Sequence, residues 1–237
     1  MKQDLEIKGY CILDVLNKED VVYLNSLCEK YLGNQNGEFI ASSHILNKID
    51  SDFINGELKR LLKAKIENVF PELELLGGTL ATKRHGNNNL DVHRDWTIVD
   101  EPKYTSYNLW IALVDTNSEN GTLGLIEGSH LNCSEVRGHK IPNPYLKETD
   151  SYIKRGTEPL LNAGQAILYD HRLLHYSRPN RTKYNRNVAI VGVKPKEANL
   201  QVSILVSKDK IETYQVTQDD FYRFDDEKIR KLNNRIR

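Results

Sequence analysis

A mainly β body rolled into a jelly roll or barrel, with α-helices packed outside it, is the fold class this sequence predicts. Three observations carry that expectation. Stretches with helical spacing fall in the first 72 residues. From about residue 78 the pattern changes to short apolar or alternating runs separated by Gly, Asn, Asp and Pro. No repeat, low-complexity tract or Pro/Gly-rich linker divides the chain. The expectation is a single domain over 1–237, with a helical N-terminal part to about residue 72 and a jelly-roll body over about 73–217.

The first helix is announced by Asn17, an N-cap residue, followed by acidic Glu19 and Asp20. Val21, Leu24, Cys28 and Tyr31 recur at helical spacing, and Gly33 stands where a C-terminal cap belongs. A second helix shows Leu58, Leu61, Leu62, Ile66 and Val69 and is stopped by Pro71. Strands are expected at Gly78–Thr82, Asn108–Val114, Thr122–Ile126, Ala166–Tyr169, Asn187–Val193 and Gln201–Val206. Leu131–Pro159 is polar and holds Pro142, Pro144 and Pro159, the composition of a long binding or covering loop.

Composition narrows the function. Hydrophobic residues make up 39% and charged residues 28% of 237, which suits a soluble globular protein. Lys plus Arg equals Asp plus Glu at 33 each, so no long-range field favours nucleic acid. No apolar run approaches the roughly 20 residues of a membrane span. Met1–Glu6 mixes both charge signs and has no apolar core of the kind a signal peptide needs. Cys11, Cys28 and Cys133 are odd in number and far apart, which frames neither a disulfide scaffold nor a Cys-based zinc site. A small-molecule substrate, no nucleic acid, no membrane and a cytoplasmic location are the resulting expectations.

Three segments can carry chemistry. In Leu90-Asp91-Val92-His93-Arg94-Asp95-Trp96, residues two apart on a strand share a face, so His93 and Asp95 would offer an imidazole and a carboxylate to one point. Tyr169-Asp170-His171-Arg172-Leu173-Leu174-His175-Tyr176-Ser177 adds further histidines. Two histidines and one carboxylate on one side of a metal make the facial triad of non-haem Fe(II) oxygenases. Spacing alone does not choose between His171 and His175, which share a face if the segment is one strand. The third segment holds Arg178, Arg181 and Arg186, and a guanidinium deep in a barrel is suited to grip a carboxylate. His93-Arg94-Asp95 also matches the start of a protein-kinase catalytic loop. That reading fails, because the Asn required five residues after the Asp is Asp100 here and no Gly-rich phosphate loop precedes it.

Taken together, these blocks resemble the phytanoyl-CoA dioxygenase family of Fe(II)/2-oxoglutarate oxygenases. The matching residues are His93-Arg94-Asp95-Trp96, Leu109–Asp115, Asn120-Gly121-Thr122-Leu123, Gly128-Ser129-His130 and Leu174–Thr182, with Arg186 eleven residues after His175. Ile211–Val216 with Asp219-Asp220-Phe221 also looks like bacterial members, so the resemblance runs from about residue 7 to 225. It implies a double-stranded β-helix of cupin-like type. It implies that His93, Asp95 and His175 bind Fe(II), that Arg186 holds the distal carboxylate of 2-oxoglutarate with Ser177 as helper, and that Lys83 lies near this co-substrate. Counting Ser177, Asn180 and Arg186 from His175 favours that histidine over His171. Glu127 departs from the family's usual Pro before Gly128, where a surface turn with a local effect is expected.

The implied reaction consumes 2-oxoglutarate and dioxygen, releases succinate and carbon dioxide, and hydroxylates a C–H bond of a small molecule such as an amino acid, a peptide or a specialised metabolite. An Asp at position 95 favours hydroxylation over halogenation, since related halogenases carry a small residue there; desaturation and ring formation stay open. Two other readings compete: a cupin-like metalloenzyme that does not use 2-oxoglutarate, and a non-catalytic metal-binding or sensor domain. The intact ligand set argues against the second, and Arg186 against the first. Segments 34–50, 84–89, 97–107 and 131–160 are expected to line or cover the pocket. Ordinary roles are expected for His130 (tying a loop to the sheet), for His44, His85 and His139 (loops) and for Trp96 and Trp110 (packing). Arg137, Arg155 and Arg172 are expected on a solvated surface.

Overall fold

The first 72 residues supply more than helices. In the computed structural model, which describes residues 1–232 and 234–237, they form helix α1 (Lys2–Ile7), strand β1 (Tyr10–Asp14), helix α2 (Lys18–Leu32), strand β2 (Phe39–Ala41) and helices α3 (Ser42–Ile45) and α4 (Lys48–Val69). Asn17 caps α2 as expected. Its side chain accepts from the Asp20 amide at 2.8 Å, and Asp20 accepts in return from the Asn17 amide. The Asn47 side chain caps α4 by accepting from the Asp50 amide at 3.0 Å, and Phe70, just before Pro71, ends the helix.

The body contributes β3 (Leu73–Lys83), β4 (Leu90–His93), β5 (Tyr107–Ala112), β6 (Leu123–Leu125), the short helix α5 (Thr149–Ile153), β7 (Gln165–Asp170), β8 (His175–Ser177), β9 (Arg186–Pro195), β10 (Gln201–Ser207) and β11 (Lys210–Gln215). Helices α6 (Gln218–Tyr222) and α7 (Asp226–Lys231) follow. Six strands form one antiparallel sheet in the order β1-β7-β5-β9-β3-β2, so the N-terminal part provides both of its edges. Three strands form the facing sheet in the order β4-β8-β6, and β10 pairs with β11. This is the jelly roll with flanking helices that the sequence predicts.

Both faces of the large sheet are buried, which explains why its strands read as nearly continuous apolar runs. Successive residues of β5 and β7 serve different cores. Leu109, Ile111, Ala166 and Leu168 pack against Leu24, Leu58, Leu62 and Ile66 of α2 and α4. Trp110, Ala112, Ile167 and Tyr169 face inward with Leu123 and Leu125 of the small sheet. The chemistry sits on that inner side. No helix among the described residues is long and apolar enough to cross a membrane.

The long polar stretch is not free. Arg94, buried, reaches Glu135 and donates to the Ser129 carbonyl at 2.8 Å; Asn143 donates to the Val92 carbonyl at 2.8 Å. Arg137 corrects the expectation of a solvated side chain. It is 7% exposed, donates to Glu101 at 2.9 Å and to the Asp95 carbonyl at 2.8 Å, and so pins this stretch to the segment bearing Asp95. Arg172 is likewise engaged, forking onto Asp170, whereas Arg155 is exposed. At Glu127 the chain turns at the surface and the carboxylate accepts from the Tyr10 hydroxyl at 2.7 Å.

Candidate functional site

His93 and His175 face each other as cross-strand partners of β4 and β8, with ring centroids 4.2 Å apart. Each Nδ1 lies on a backbone carbonyl, that of Asp91 at 2.8 Å and that of Leu173 at 3.0 Å. Carbonyls only accept, so each Nδ1 donates, which leaves Nε2 of the neutral ring as the nitrogen that can bind a metal. Asp95 does not reach them by strand alternation. Strand β4 ends at His93, and the Asp95 amide instead donates to the His171 carbonyl at 3.1 Å. Asn108 and Tyr169, themselves cross-strand partners on β5 and β7, donate to Asp95 Oδ2 at 2.8 and 2.9 Å. Oδ1 is left 3.8 Å from His175 Nε2. One potential ligand atom from each of the three residues lies within 4.8 Å of the others.

The electrostatics favour a cation. Burial pulls the His175 imidazole down to about 4, with His93 adding to the effect, so it is neutral near pH 7. Burial would raise the Asp95 carboxyl, but the surrounding imidazoles and the Asn108 hydrogen bond hold it below the usual range. Two imidazoles and one carboxylate, each oriented by a second group, are a donor set that fits a divalent transition metal.

Beside this cluster, Lys83 and Arg186 are register partners on β3 and β9, and both are buried. Lys83 Nζ donates to Ser177 Oγ and the Arg178 carbonyl at 2.8 Å and to the Ser177 carbonyl at 3.2 Å. Burial, with Arg186 nearby, brings it down to about 7. Ser177 in turn donates to the Gly121 carbonyl at 2.9 Å. Gly121 has φ +78°, and a Cβ there would fall 2.4 Å from the Arg178 carbonyl oxygen, so this turn requires glycine.

Arg186 differs from Lys83. Its guanidinium lies over the Trp110 ring, 5.3 Å from the centroid, and its Nε and Nη1 have no hydrogen-bond partner among the described residues. Burial without a counter-charge pulls it down to about 9. These groups and the three candidate ligands line one cavity of about 140 Å³. At about 30 Å³ per water that is the space of roughly five waters, enough for a small organic acid. A buried guanidinium with free N–H groups, facing a space beside a candidate metal, fits a dicarboxylate that reaches from one to the other.

The structure therefore brings together His93, Asp95, His175, Lys83, Ser177 and Arg186. His171 stays apart, because a turn after β7 separates it from β8, so the segment is not one strand. Its Nδ1 meets Ser106 Oγ at 2.9 Å. His130 ties its loop to α1 through the Glu6 carbonyl at 3.1 Å. His85 is exposed against the Thr182 carbonyl, and Trp110 packs under Arg186. Asn108 and Tyr169 are the residues that sequence reasoning missed. The available signal was polar groups at the inward positions of two otherwise apolar strands. Also missed were Phe221, Tyr222 and Phe224, which line a second cavity with Trp96.

A profile of the phytanoyl-CoA dioxygenase (PhyH) family matches residues 42–188. A phytanoyl-CoA dioxygenase domain-containing protein 1 homolog of Dictyostelium discoideum is 29% identical over 108 residues, 41% of this chain and 38% of that protein's length. Among solved structures, the non-haem α-ketoglutarate-dependent carbocyclase SnoK from nogalamycin biosynthesis superposes with a TM-score of 0.63 at 19% identity, over 84% of each chain. The epimerase SnoN, in complex with Fe3+, α-ketoglutarate and nogalamycin RO, gives 0.60 at 16% identity over 84% of this chain and 83% of its own. HygX from Streptomyces hygroscopicus, with nickel, 2-oxoglutarate and hygromycin B bound, gives 0.59 at 15% identity over 83% and 88%. At such identities the likeness to these structures is one of fold.

Proposed function

This chain belongs to the phytanoyl-CoA dioxygenase family, and from that premise we propose that it is an Fe(II)- and 2-oxoglutarate-dependent oxygenase that hydroxylates a C–H bond of a small molecule. The observation that carries the reading is Arg186, a buried guanidinium with two unpartnered nitrogens, in one cavity with His93, Asp95 and His175. A zinc site in a cupin-like fold has no need of that cation, which is why this reading stands ahead of a metalloenzyme without 2-oxoglutarate. SnoK and SnoN, of the same fold, are a carbocyclase and an epimerase, so ring closure and epimerisation are the outcomes that compete with hydroxylation.

Iron, 2-oxoglutarate and dioxygen together supply an oxidant strong enough to take hydrogen from a C–H bond, with release of succinate and carbon dioxide. The chain's own residues hold and shield. His93, Asp95 and His175 would hold the metal. Asn108 and Tyr169 fix which Asp95 oxygen faces it. Arg186 binds the far carboxylate of 2-oxoglutarate, while Lys83 holds Ser177 in place at the cavity wall. Leu123, Trp110 and Ile190 exclude water from the same cavity. The free cysteines Cys11, Cys28 and Cys133 suit a reducing, cytoplasmic setting.

The test is an anaerobic titration of the Fe(II)-loaded protein with 2-oxoglutarate, followed by its visible metal-to-ligand charge-transfer absorbance. A saturable band with stoichiometric uptake is expected. Iron uptake without that band transfers the site to the cupin-like alternative.

A further inference from the structure

A second cavity of about 560 Å³ adjoins the candidate metal site, and Asp95, Asn108 and Ile190 line both spaces. That volume lies within the roughly 300–1,000 Å³ typical of drug-sized ligands. One wall is aromatic. Trp96 and Phe224 meet edge to face at 5.1 Å, Phe221 and Tyr222 at 5.6 Å, and Ile98 continues the apolar surface. Ser43, Ser51, Asn55 and His44 of α3 and α4 add polar side chains to the lining. Among the described residues that line this cavity there is no Lys or Arg, and its one acid is Asp95. The basic residues next to the lining positions are already paired. Lys48 is 2.7 Å from Asp52, and Arg223 is 2.8 Å from both Asp52 and Asp219.

Tyr222 stands out on the aromatic wall. Its ring lies on a floor of bare backbone where Gly77 and Gly192 are register partners, and a Cβ on Gly77 would come within 2.9 Å of its Cζ. Its hydroxyl lies 3.7 Å from where a Cβ of Gly192 would be. Burial raises this phenol above its ordinary range, so the hydroxyl stays protonated and can donate. A ligand hydroxyl or carbonyl would accept from it.

From this lining, and resting on the oxygenase reading above, we infer that the substrate is an uncharged, ring-bearing and hydroxylated metabolite, seated with its ring on the Trp96–Phe224 wall and a polar group on Tyr222. An anionic ligand such as a free acid or an acyl-CoA is a poor match for this lining, which has no Lys or Arg and only His44 and His171 as basic side chains. Rings suit aromatic walls, and hydroxyls suit the serine and asparagine side chains of the lining.

The inference is tested by calorimetric titration of the Fe(II)- and 2-oxoglutarate-loaded protein under argon with three probes. These are 2-naphthyl β-D-glucoside, 2-naphthyl β-D-glucuronide (which adds a carboxylate) and decanoyl-CoA. The glucoside is expected to bind, the glucuronide at least tenfold more weakly, and decanoyl-CoA not at all. Tyr222→Phe, which removes only the hydroxyl, should weaken glucoside binding about fivefold, the size of one ordinary hydrogen bond. Tighter or equal binding of either charged probe overturns the inference, as does absence of glucoside binding or an unchanged affinity in Tyr222→Phe. The charge-transfer band read on the same samples separates the two readings. If the band is present but a charged probe is preferred, this inference fails and the oxygenase stands. If the band is absent but the glucoside is preferred, the oxygenase fails and the cavity assignment stands.

Discussion

Replacing Arg186 with leucine should separate two quantities that a structural arginine would move together. In the free protein the guanidinium is buried with Nε and Nη1 unpartnered, so it costs stability. Exchanging a poorly compensated buried charge for an apolar side chain is commonly neutral or stabilising. The ligand-free variant should therefore melt no lower than the parent. Binding is where the loss should appear. Removing one partner of a buried charge-assisted contact costs roughly 2–5 kcal/mol, about 30-fold or more in affinity. At a 2-oxoglutarate concentration 100 times its dissociation constant, the parent gains about 2.7 kcal/mol. A domain of this size shifts by about 2–4 °C per kcal/mol, so its melting temperature should rise by roughly 5–11 °C. For a 30-fold weaker variant the gain falls to about 0.9 kcal/mol, a rise of roughly 2–4 °C. The assay is differential scanning fluorimetry under argon with Fe(II), with and without 2-oxoglutarate. An equal ligand-induced rise in the variant refutes the clamp. A ligand-free variant that melts several degrees lower refutes the claim that Arg186 is a strained group awaiting an anion.

Three further outcomes are expected. His175→Ala should abolish stoichiometric Fe(II) uptake, whereas His171→Ala should retain it and lose only stability through the vacated Ser106 contact; metal analysis after desalting decides, and loss of iron in His171→Ala would move the third ligand. Tyr169→Phe should weaken iron binding by roughly 10–100-fold without unfolding the protein, as loss of a group that orients a ligand does, and a competition titration with a chromophoric chelator measures it. Burial would raise Glu135, but hydrogen bonds from Tyr145 and Arg94 hold it down to about 2, below its unfolded value near 4.3. A depressed carboxylate gives stability that is complete above the unfolded pKa and lost as pH falls through the folded one. The stability difference between the parent and Glu135→Gln should thus be constant above about pH 5 and shrink from there toward pH 2; a difference that grows on acidification would contradict it.

The elements were legible where local patterns act alone. Asn17 with Asp20, the 3.6-residue spacing of Leu58, Leu62 and Ile66, and six of the strands follow from neighbours in sequence. Edge strands β1 and β2 were not legible, because what makes Tyr10–Asp14 a strand is pairing with β7, more than 150 residues on. The histidine and carboxylate pair was read on the premise of strand alternation, yet β4 stops at His93 and Asp95 is positioned by a hydrogen bond to His171. Arg137 was misjudged for a related reason. Its charged partner Glu101 lies in another loop, and a charged residue amid polar neighbours looks solvated until that loop folds over it.

What no local pattern expresses is that β3 and β9 set Lys83 opposite Arg186. Two cations side by side and buried repel each other, and the folded chain brings no carboxylate to Arg186 in compensation. Lys83 is relieved by three oxygens of the chain, Ser177 Oγ and two carbonyls. Arg186 is not relieved, and its free N–H groups face the cavity that holds His93, Asp95 and His175. Stability alone would replace such a residue with an apolar one of similar volume. Its presence is explained when the missing counter-charge is an anionic ligand, and a dicarboxylate fits a cavity that sets this cation beside a candidate metal site.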